Sequence, residues 1–180
     1  MKECDLILDV GCGEGRFISQ DPSRIVGIEQ NDKSIQRCKQ RDFDVTSGDA
    51  RSLPYEEKSV PAIHCSHLIE HFAPVDVHKI LSEFNRVLAP DGILVIRSPL
   101  LWDGFYSDLT HIRPYNPDVI IHYLTPLVQC TLEHISDDFK VIYLKWRYAP
   151  LRVGSIYLSN RWGFPWLKKN GYMLVMRKSS

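Results

Sequence analysis

Short runs with strand character return along the chain at regular spacing: DLILDV (5–10), RIVGIE (24–29), VTSGD (45–49), VPAIHCS (60–66), GILVIRS (92–98), FKVIYLKW (139–146) and YMLVMR (172–177). Runs this short, rich in β-branched residues and bounded by turn formers, predict strands rather than helices. Between them the period changes. In DVHKILSEFNRVLA (76–89), Val77, Ile80, Leu81, Phe84, Val87 and Leu88 fall on one stripe with an acid at its start and Pro-Asp-Gly at its end, which predicts an amphipathic helix. NDKSIQRCKQR (31–41) is a weaker pattern of the same kind. Strands alternating with helices predict a doubly wound α/β sheet of seven strands, with ligands at the carboxyl ends of the strands. No long helix separates the last two strands, so one antiparallel strand at the sheet edge is allowed.

The first strand leads into the most informative string, ILDVGCGEG (7–15). Glycines at Gly11, Gly13 and Gly15 let the backbone turn sharply and pass close to a ligand, because a Cβ would block both. A nucleotide-type cofactor is the expectation, and a tight turn without a ligand is the bland alternative. The dinucleotide fingerprint would need a glycine where the chain has Arg16, so NAD is disfavoured. Glu29 ends the second strand, where an acid can accept from both ribose hydroxyls or simply face water. Asp49, in SGDA (47–50), reads on its own as a turn aspartate.

A hydrophobic strand followed by D-x-G-x-G-x-G resembles the first motif of class I S-adenosylmethionine-dependent methyltransferases. The similarity continues through GDARSLPYEEKSVPAIHCSHLIEHF and EFNRVLAPDGILVIRSP, is closest to the small-molecule and glycan-directed branch, and covers about residues 5 to 99. It implies a Rossmann-like seven-stranded sheet with one antiparallel edge strand and S-adenosyl-L-methionine as cofactor. It assigns cofactor contacts to Asp9, Gly11, Cys12, Gly13, Gly15, Glu29, Gln30, Asp49, Ala50, Cys65 and Ser66, with Asp49 beside the adenine amino group and Cys65 to His67 along the methionine end. In one departure, the chain starts four residues before the first strand, without the helix that in the family covers the cofactor, which implies an open or shortened site.

His67, Glu70 and His71 form H-x-x-E-H, also the inverted zinc-protease signature. Pro74 cuts that segment too short to present such a pair on a long helix, so the hydrolase reading is disfavoured. Family branches acting on ubiquinone precursors or on the terminal ribose of small RNAs carry E-x-x-E-H here and hold a divalent cation. That resemblance makes His67, Glu70, His71 and His111 a metal option, while no metal is the main expectation. After the fifth strand, THIRPYNPDVI (110–120) looks like a segment of polysaccharide and secondary-metabolite methyltransferases. His111, then His67, are the candidate general bases, since a hydroxyl acceptor must lose its proton and imidazole titrates near neutrality. Arg113 and Tyr115 are the candidate substrate contacts, with a salt bridge from Arg113 to Asp108 or Asp118 as the structural alternative.

Length and composition suit one domain over residues 1–180, with a cofactor half to about 99 and an acceptor-loop and lid half from about 100. No transmembrane run or leader is visible, and five cysteines without a C-x-x-C pair predict reduced thiols and a cytoplasmic setting. The formal charge of zero is divided: residues 1–138 hold all 22 acids and 13 of the 22 Lys and Arg, while the last 42 residues hold nine cations and no acid. Either the tail meets an anionic partner or it pairs with the rest of the fold. Between Tyr148 and Gly171, Arg152, Arg161, Lys168 and Lys169 interleave with Tyr157, Trp162, Phe164 and Trp166, which suits a phosphorylated or lipid-linked glycan, a membrane surface, a lid, or, less favoured, single-stranded nucleic acid. The function expected is O-methylation of a sugar, glycan or small metabolite; the alternative is a non-catalytic cofactor-binding module acting through a partner protein.

Overall fold

The computed structural model describes residues 4–126, 132–150 and 167–179, with the backbone of 152–153 and 156–157. The strands are β1 (Ile7–Val10), β2 (Ile25–Glu29), β3 (Val45–Ser47), β4 (Val60–Ser66), β5 (Leu88–Pro99), β6 (Phe139–Pro150), β7 (Arg152–Val153), β8 (Ile156–Tyr157) and β9 (Leu167–Lys178). Seven form one sheet in the order β3-β2-β1-β4-β5-β9-β6, and β7 and β8 pair only with each other. The first five are parallel, and β9 runs antiparallel to both β5 and β6. The antiparallel pairing therefore lies at the predicted margin of the sheet, with β6 as the outermost strand.

The predicted helix at 31–41 is α1 (Asp32–Lys39), whose N-cap Asn31 accepts from the amides of Lys33 and Ser34. The long helix is α2 (Pro74–Val87), with Pro74 in the first turn where its missing N–H costs nothing. It ends earlier than the stripe suggests, and β5 starts at Leu88 rather than at 92. The cause is Pro90, which biases the residue before it towards extended backbone. Lys178 caps the other end of α2, its Nζ donating to the carbonyls of Asn85 and Leu88. α3 (Pro117–Leu124) follows the long post-β5 loop. No described helix is long and apolar enough to cross a membrane.

The two faces of the sheet are covered unequally. On one, Leu8, Val10, Ile63, Cys65, Leu94, Ile96, Leu174 and Met176 pack with the apolar sides of α2 and α3 into the larger core. On the other, Ile7, Ile25, Val45 and Ala62 are closed by α1 and by Ile18 of a short 3-10 turn. The second cluster stops at Ile93. Beyond it Arg97 and Lys145 are exposed, Met173 and Val175 are half-buried, and the strands offer an open floor. Burying the larger core is the main drive for folding, at about 25 cal/mol per Å² of apolar surface removed from water.

Candidate active site

The glycine loop leaves β1 with Gly11, Gly13 and Gly15 at φ +72°, +54° and +74°, the left-handed region that side chains avoid. The three differ in surroundings. A Cβ on Gly11 would lie 2.6 Å from Leu68 Cδ1, and one on Gly15 2.5 Å from Phe43 Cδ2, whereas one on Gly13 would meet nothing within 4 Å. A side chain on Gly13 would project into open space, so its φ is what requires glycine there, and the backbone is left accessible to a closely approaching cofactor. Glu29 braces this loop: Oε2 accepts from Gly13 N at 2.8 Å, and Oε1 accepts from the amides of Gln30 and Asn31 at 2.9 Å. A carboxylate has about four acceptor positions, so roughly one remains for a ligand hydroxyl.

Asp49 is held by Arg51, with Nη2 to Oδ2 at 2.7 Å and the Arg51 amide to Oδ1 at 2.8 Å. Arg51 lowers its pKa below the ordinary carboxylate value. Arg51 in turn reaches Asp76 at 3.4 Å and ties the loop after β3 to α2. Ala50 is buried in the larger core, and Gln30 is exposed.

Asp9, Gly11, Cys12, Ser66 and His67 line one cavity of about 480 Å³ together with Arg16, Phe17, Gln20, His64, Arg97 and Arg147. Cys65 does not: its side chain is fully buried in the larger core, where desolvation raises its thiol pKa well above the ordinary value. Burial likewise raises Cys12. The four described cysteines are free thiols; Cys130 lies outside the described residues.

His64 was not singled out by its sequence. It lies beside Asp9 in the β1–β4 register, its Nδ1 is 2.7 Å from Asp9 Oδ1, and its ring stacks on Phe17 at 3.8 Å between centroids. The pair is buried, with relative exposures of 3% and 5%, so each group depends on the other for its polar partner. An acid one residue from the end of β1 and a histidine on the adjacent strand were the only signal, and they become neighbours only once β4 is placed next to β1.

His67 follows β4 at φ +56°, a strained conformation for a non-glycine residue. Its Nδ1 is 3.1 Å from Oε1 of the fully buried Glu70, whose Oε2 accepts from Ser98 Oγ at 3.3 Å. His67, Arg97 and Arg147 also line a second cavity of about 330 Å³ with Ser98, Lys145, Trp146, Tyr172 and Met173. The two cavities share that wall, which puts His67 between the glycine loop and the open floor.

Glu70, His71 and His111 offer ligand atoms within 4.8 Å of one another, so three of the four residues in the metal option come together, with His67 bonded to Glu70. His71 Nδ1 faces the Thr110 carbonyl at 3.2 Å and His111 Nδ1 the Phe105 carbonyl at 2.6 Å. A carbonyl only accepts, so in both rings Nδ1 carries the proton and Nε2 is left with its lone pair. His111 lines neither of the two joined cavities.

Arg113 and Tyr115 lie on the opposite face. They line a separate cavity of about 180 Å³ between α2 and α3, where the Tyr115 hydroxyl donates to the Phe72 carbonyl at 2.8 Å and Arg113 lies over the Tyr115 ring. Among the described residues Arg113 forms no ion pair with Asp108 or Asp118. Of the tail residues, Lys168 pairs with Asp103 at 3.6 Å and Lys169 Nζ sits 3.8 Å above the Trp146 ring. Arg161, Trp162, Phe164 and Trp166, and the side chains of Arg152 and Tyr157, lie outside the described residues.

A family profile described as a methyltransferase domain matches residues 8–96. An uncharacterized methyltransferase of Synechocystis is 30% identical over 95 residues, covering 50% of this chain and 45% of the relative. The tRNA (carboxymethyluridine(34)-5-O)-methyltransferase of Arabidopsis thaliana is 27% identical over 114 residues, 62% of this chain and 28% of that protein. The chain thus spans less than half the length of these relatives. In structure it resembles a SAM-dependent methyltransferase from Archaeoglobus fulgidus, with a TM-score of 0.69, 22% identity, and coverage of 98% of this chain and 87% of that one. With the matched domain running from the glycine strand through β5, the chain belongs to the class I S-adenosylmethionine-dependent methyltransferases, and S-adenosylmethionine is the cofactor its site is built for.

Proposed function

We propose that this domain transfers a methyl group to a hydroxyl of a small molecule such as a sugar or metabolite, with His67 as the proton acceptor. The observation that carries this reading is the position of His67 on the wall shared by the two cavities, with its Nδ1 fixed by Glu70. A carboxylate there accepts only, so the imidazole proton sits on Nδ1, and Nε2 is free to take the hydroxyl proton. S-adenosylmethionine, when bound, supplies an electrophilic methyl group. The residues that would hold it are the Gly11–Gly15 loop and Asp9, Glu29, Asp49 and Ser66, and their work is alignment rather than covalent chemistry. The Arabidopsis relative is named for transfer to oxygen, which supports the same class of acceptor atom. His111, whose ligand atom lies within 4.8 Å of those of Glu70 and His71 but which lines neither cavity, is the second candidate for the proton.

The test supplies a ¹³C-methyl donor with a panel of hydroxyl, amine and carbon acceptors and identifies the methylated atom in the product by NMR. With an active acceptor in hand, His67→Gln is expected to lower kcat/KM by about 10²- to 10⁴-fold and to remove the imidazole limb of its pH profile. Methylation on nitrogen or carbon alone, or a His67→Gln enzyme with wild-type rate and profile, would refute the assignment.

A further inference from the structure

The charge division of the sequence has a local counterpart on the open floor. Arg97, Met173 and Lys145 form one cross-strand row over β5, β9 and β6, and Pro99, Gly171 and Arg147 form the next row on the same face. Three cations from two strands, separated by an antiparallel third, thus converge on the second cavity. Among the described residues none of them forms an ion pair.

The seat of Arg147 is built rather than incidental. Its Nε donates to Asn170 Oδ1 at 3.1 Å and its Nη2 to the Asn170 carbonyl at 3.3 Å, neutral acceptors that orient the guanidinium without cancelling its charge. Glycine at 171 makes the room, since a Cβ there would lie 3.0 Å from Nη2 and 3.1 Å from Nε of Arg147. Burial, and then the charge of Arg97, push the Arg147 guanidinium below its ordinary value, with Glu70 opposing. Two guanidiniums close enough to act on one another, neither of them in an ion pair among the described residues, gain from an anion that bridges them. Trp146, with Lys169 over its ring, flanks the cavity, while the Tyr172 side chain is buried in the larger core behind it.

We propose that Arg97, Lys145 and Arg147 bind an oxyanion carried by the methyl acceptor, the phosphate or carboxylate of a small molecule, and so hold its hydroxyl against His67. This rests on the methyl-transfer reading above. A volume of about 330 Å³ suits a small molecule rather than a polymer backbone. Lys145 lines only this cavity, whereas both arginines also face the cofactor side, which gives the test its control.

The experiment titrates inorganic phosphate and, separately, acetate into protein saturated with S-adenosylhomocysteine, at ionic strength held constant with chloride, in wild type, Lys145→Met, Arg147→Met and Arg147→Lys. The expected result is saturable oxyanion binding that weakens roughly tenfold in Lys145→Met and in Arg147→Met, the loss of one charge-assisted hydrogen bond, with partial recovery in Arg147→Lys. S-adenosylhomocysteine affinity in Lys145→Met stays within about twofold of wild type, because Lys145 is absent from the cofactor cavity. Preference for phosphate names a phosphorylated acceptor and preference for acetate a carboxylated one. Absence of saturable binding, or binding unchanged in both methionine variants, overturns the inference while normal S-adenosylhomocysteine affinity keeps the cofactor reading. Competition between phosphate and S-adenosylhomocysteine, with weaker S-adenosylhomocysteine binding in Arg147→Met, overturns it by assigning the arginines to the carboxylate of the donor. Oxyanion binding by a protein that does not bind S-adenosylhomocysteine refutes the methyl-donor reading and with it the link to an acceptor.

Discussion

Gly13→Ala separates the cost of a backbone conformation from the cost of blocking a ligand. Alanine at φ +54° pays about 1–2 kcal/mol for the left-handed conformation. No atom lies within 4 Å of the new methyl group, so packing adds nothing. For a domain of this size that is a fall in Tm of about 2–8 °C. The methyl group stands where a cofactor passing over the loop would lie, and crowding of that kind costs about 1–3 kcal/mol, which is about 5- to 150-fold in S-adenosylhomocysteine affinity. Gly15→Ala is the matched control. It pays the same conformational cost, and its Cβ lies 2.5 Å from Phe43 Cδ2 and 3.1 Å from Cys38 Sγ, so about 1–3 kcal/mol of overpacking falls on the fold. Thermal melts of the unliganded proteins and calorimetric titration with S-adenosylhomocysteine read the two costs separately. The expected order is a larger Tm loss for Gly15→Ala and a larger affinity loss for Gly13→Ala. Wild-type affinity in Gly13→Ala would refute the claim that the cofactor passes over that position.

Three further substitutions follow from the packing. His64→Leu strands the Asp9 carboxylate, 3% exposed, without its imidazole, and urea unfolding should show a loss of about 3–5 kcal/mol. Glu83 accepts from Arg86 and from the Leu53 amide at 2.7 Å, and Arg86 first, then the amide, hold its pKa below the ordinary value of 4.5. That stabilisation is complete above about pH 4.5 and is lost as pH falls through the lowered folded value, so Glu83→Gln should cost about 1–2 kcal/mol at pH 7 and converge with wild type in acid. A constant difference down to pH 3 would contradict the ionic origin. Lys178→Met removes the donor to the carbonyls of Asn85 and Leu88 and should cost about 1–3 kcal/mol by chemical denaturation, with no change in S-adenosylhomocysteine affinity.

The parts of the fold visible in the sequence are those set by local chemistry. Each apolar run became a strand, and the stripe at 76–89 became a helix, although Pro74 opens it where the sequence pointed to the acid at Asp76. The glycine loop was legible because only glycine tolerates three positive φ values in five residues. Non-local register was not legible. His64 meets Asp9 across 55 positions, and Arg97, Lys145 and Arg147 share a floor only because β9 fixes the offset between β5 and β6. The place of Arg113 and Tyr115 was not legible for a related reason: a long loop can leave a strand end towards either face, and this one runs to α3 and packs over α2.

The position of β9 has a temporal consequence. It follows every other strand in the chain, yet it is inserted between β5 and β6. During synthesis β5 therefore waits with an unpaired edge until some 70 further residues have emerged, counting from Pro99 to Leu167. The parallel half from β1 to β5 can assemble from contacts already made, but the cationic floor cannot exist before the final strand docks. The waiting edge is apolar, with Leu94 and Ile96 ready to pair with any extended chain, so this is the stage at which a chaperone or a second nascent chain competes with native closure.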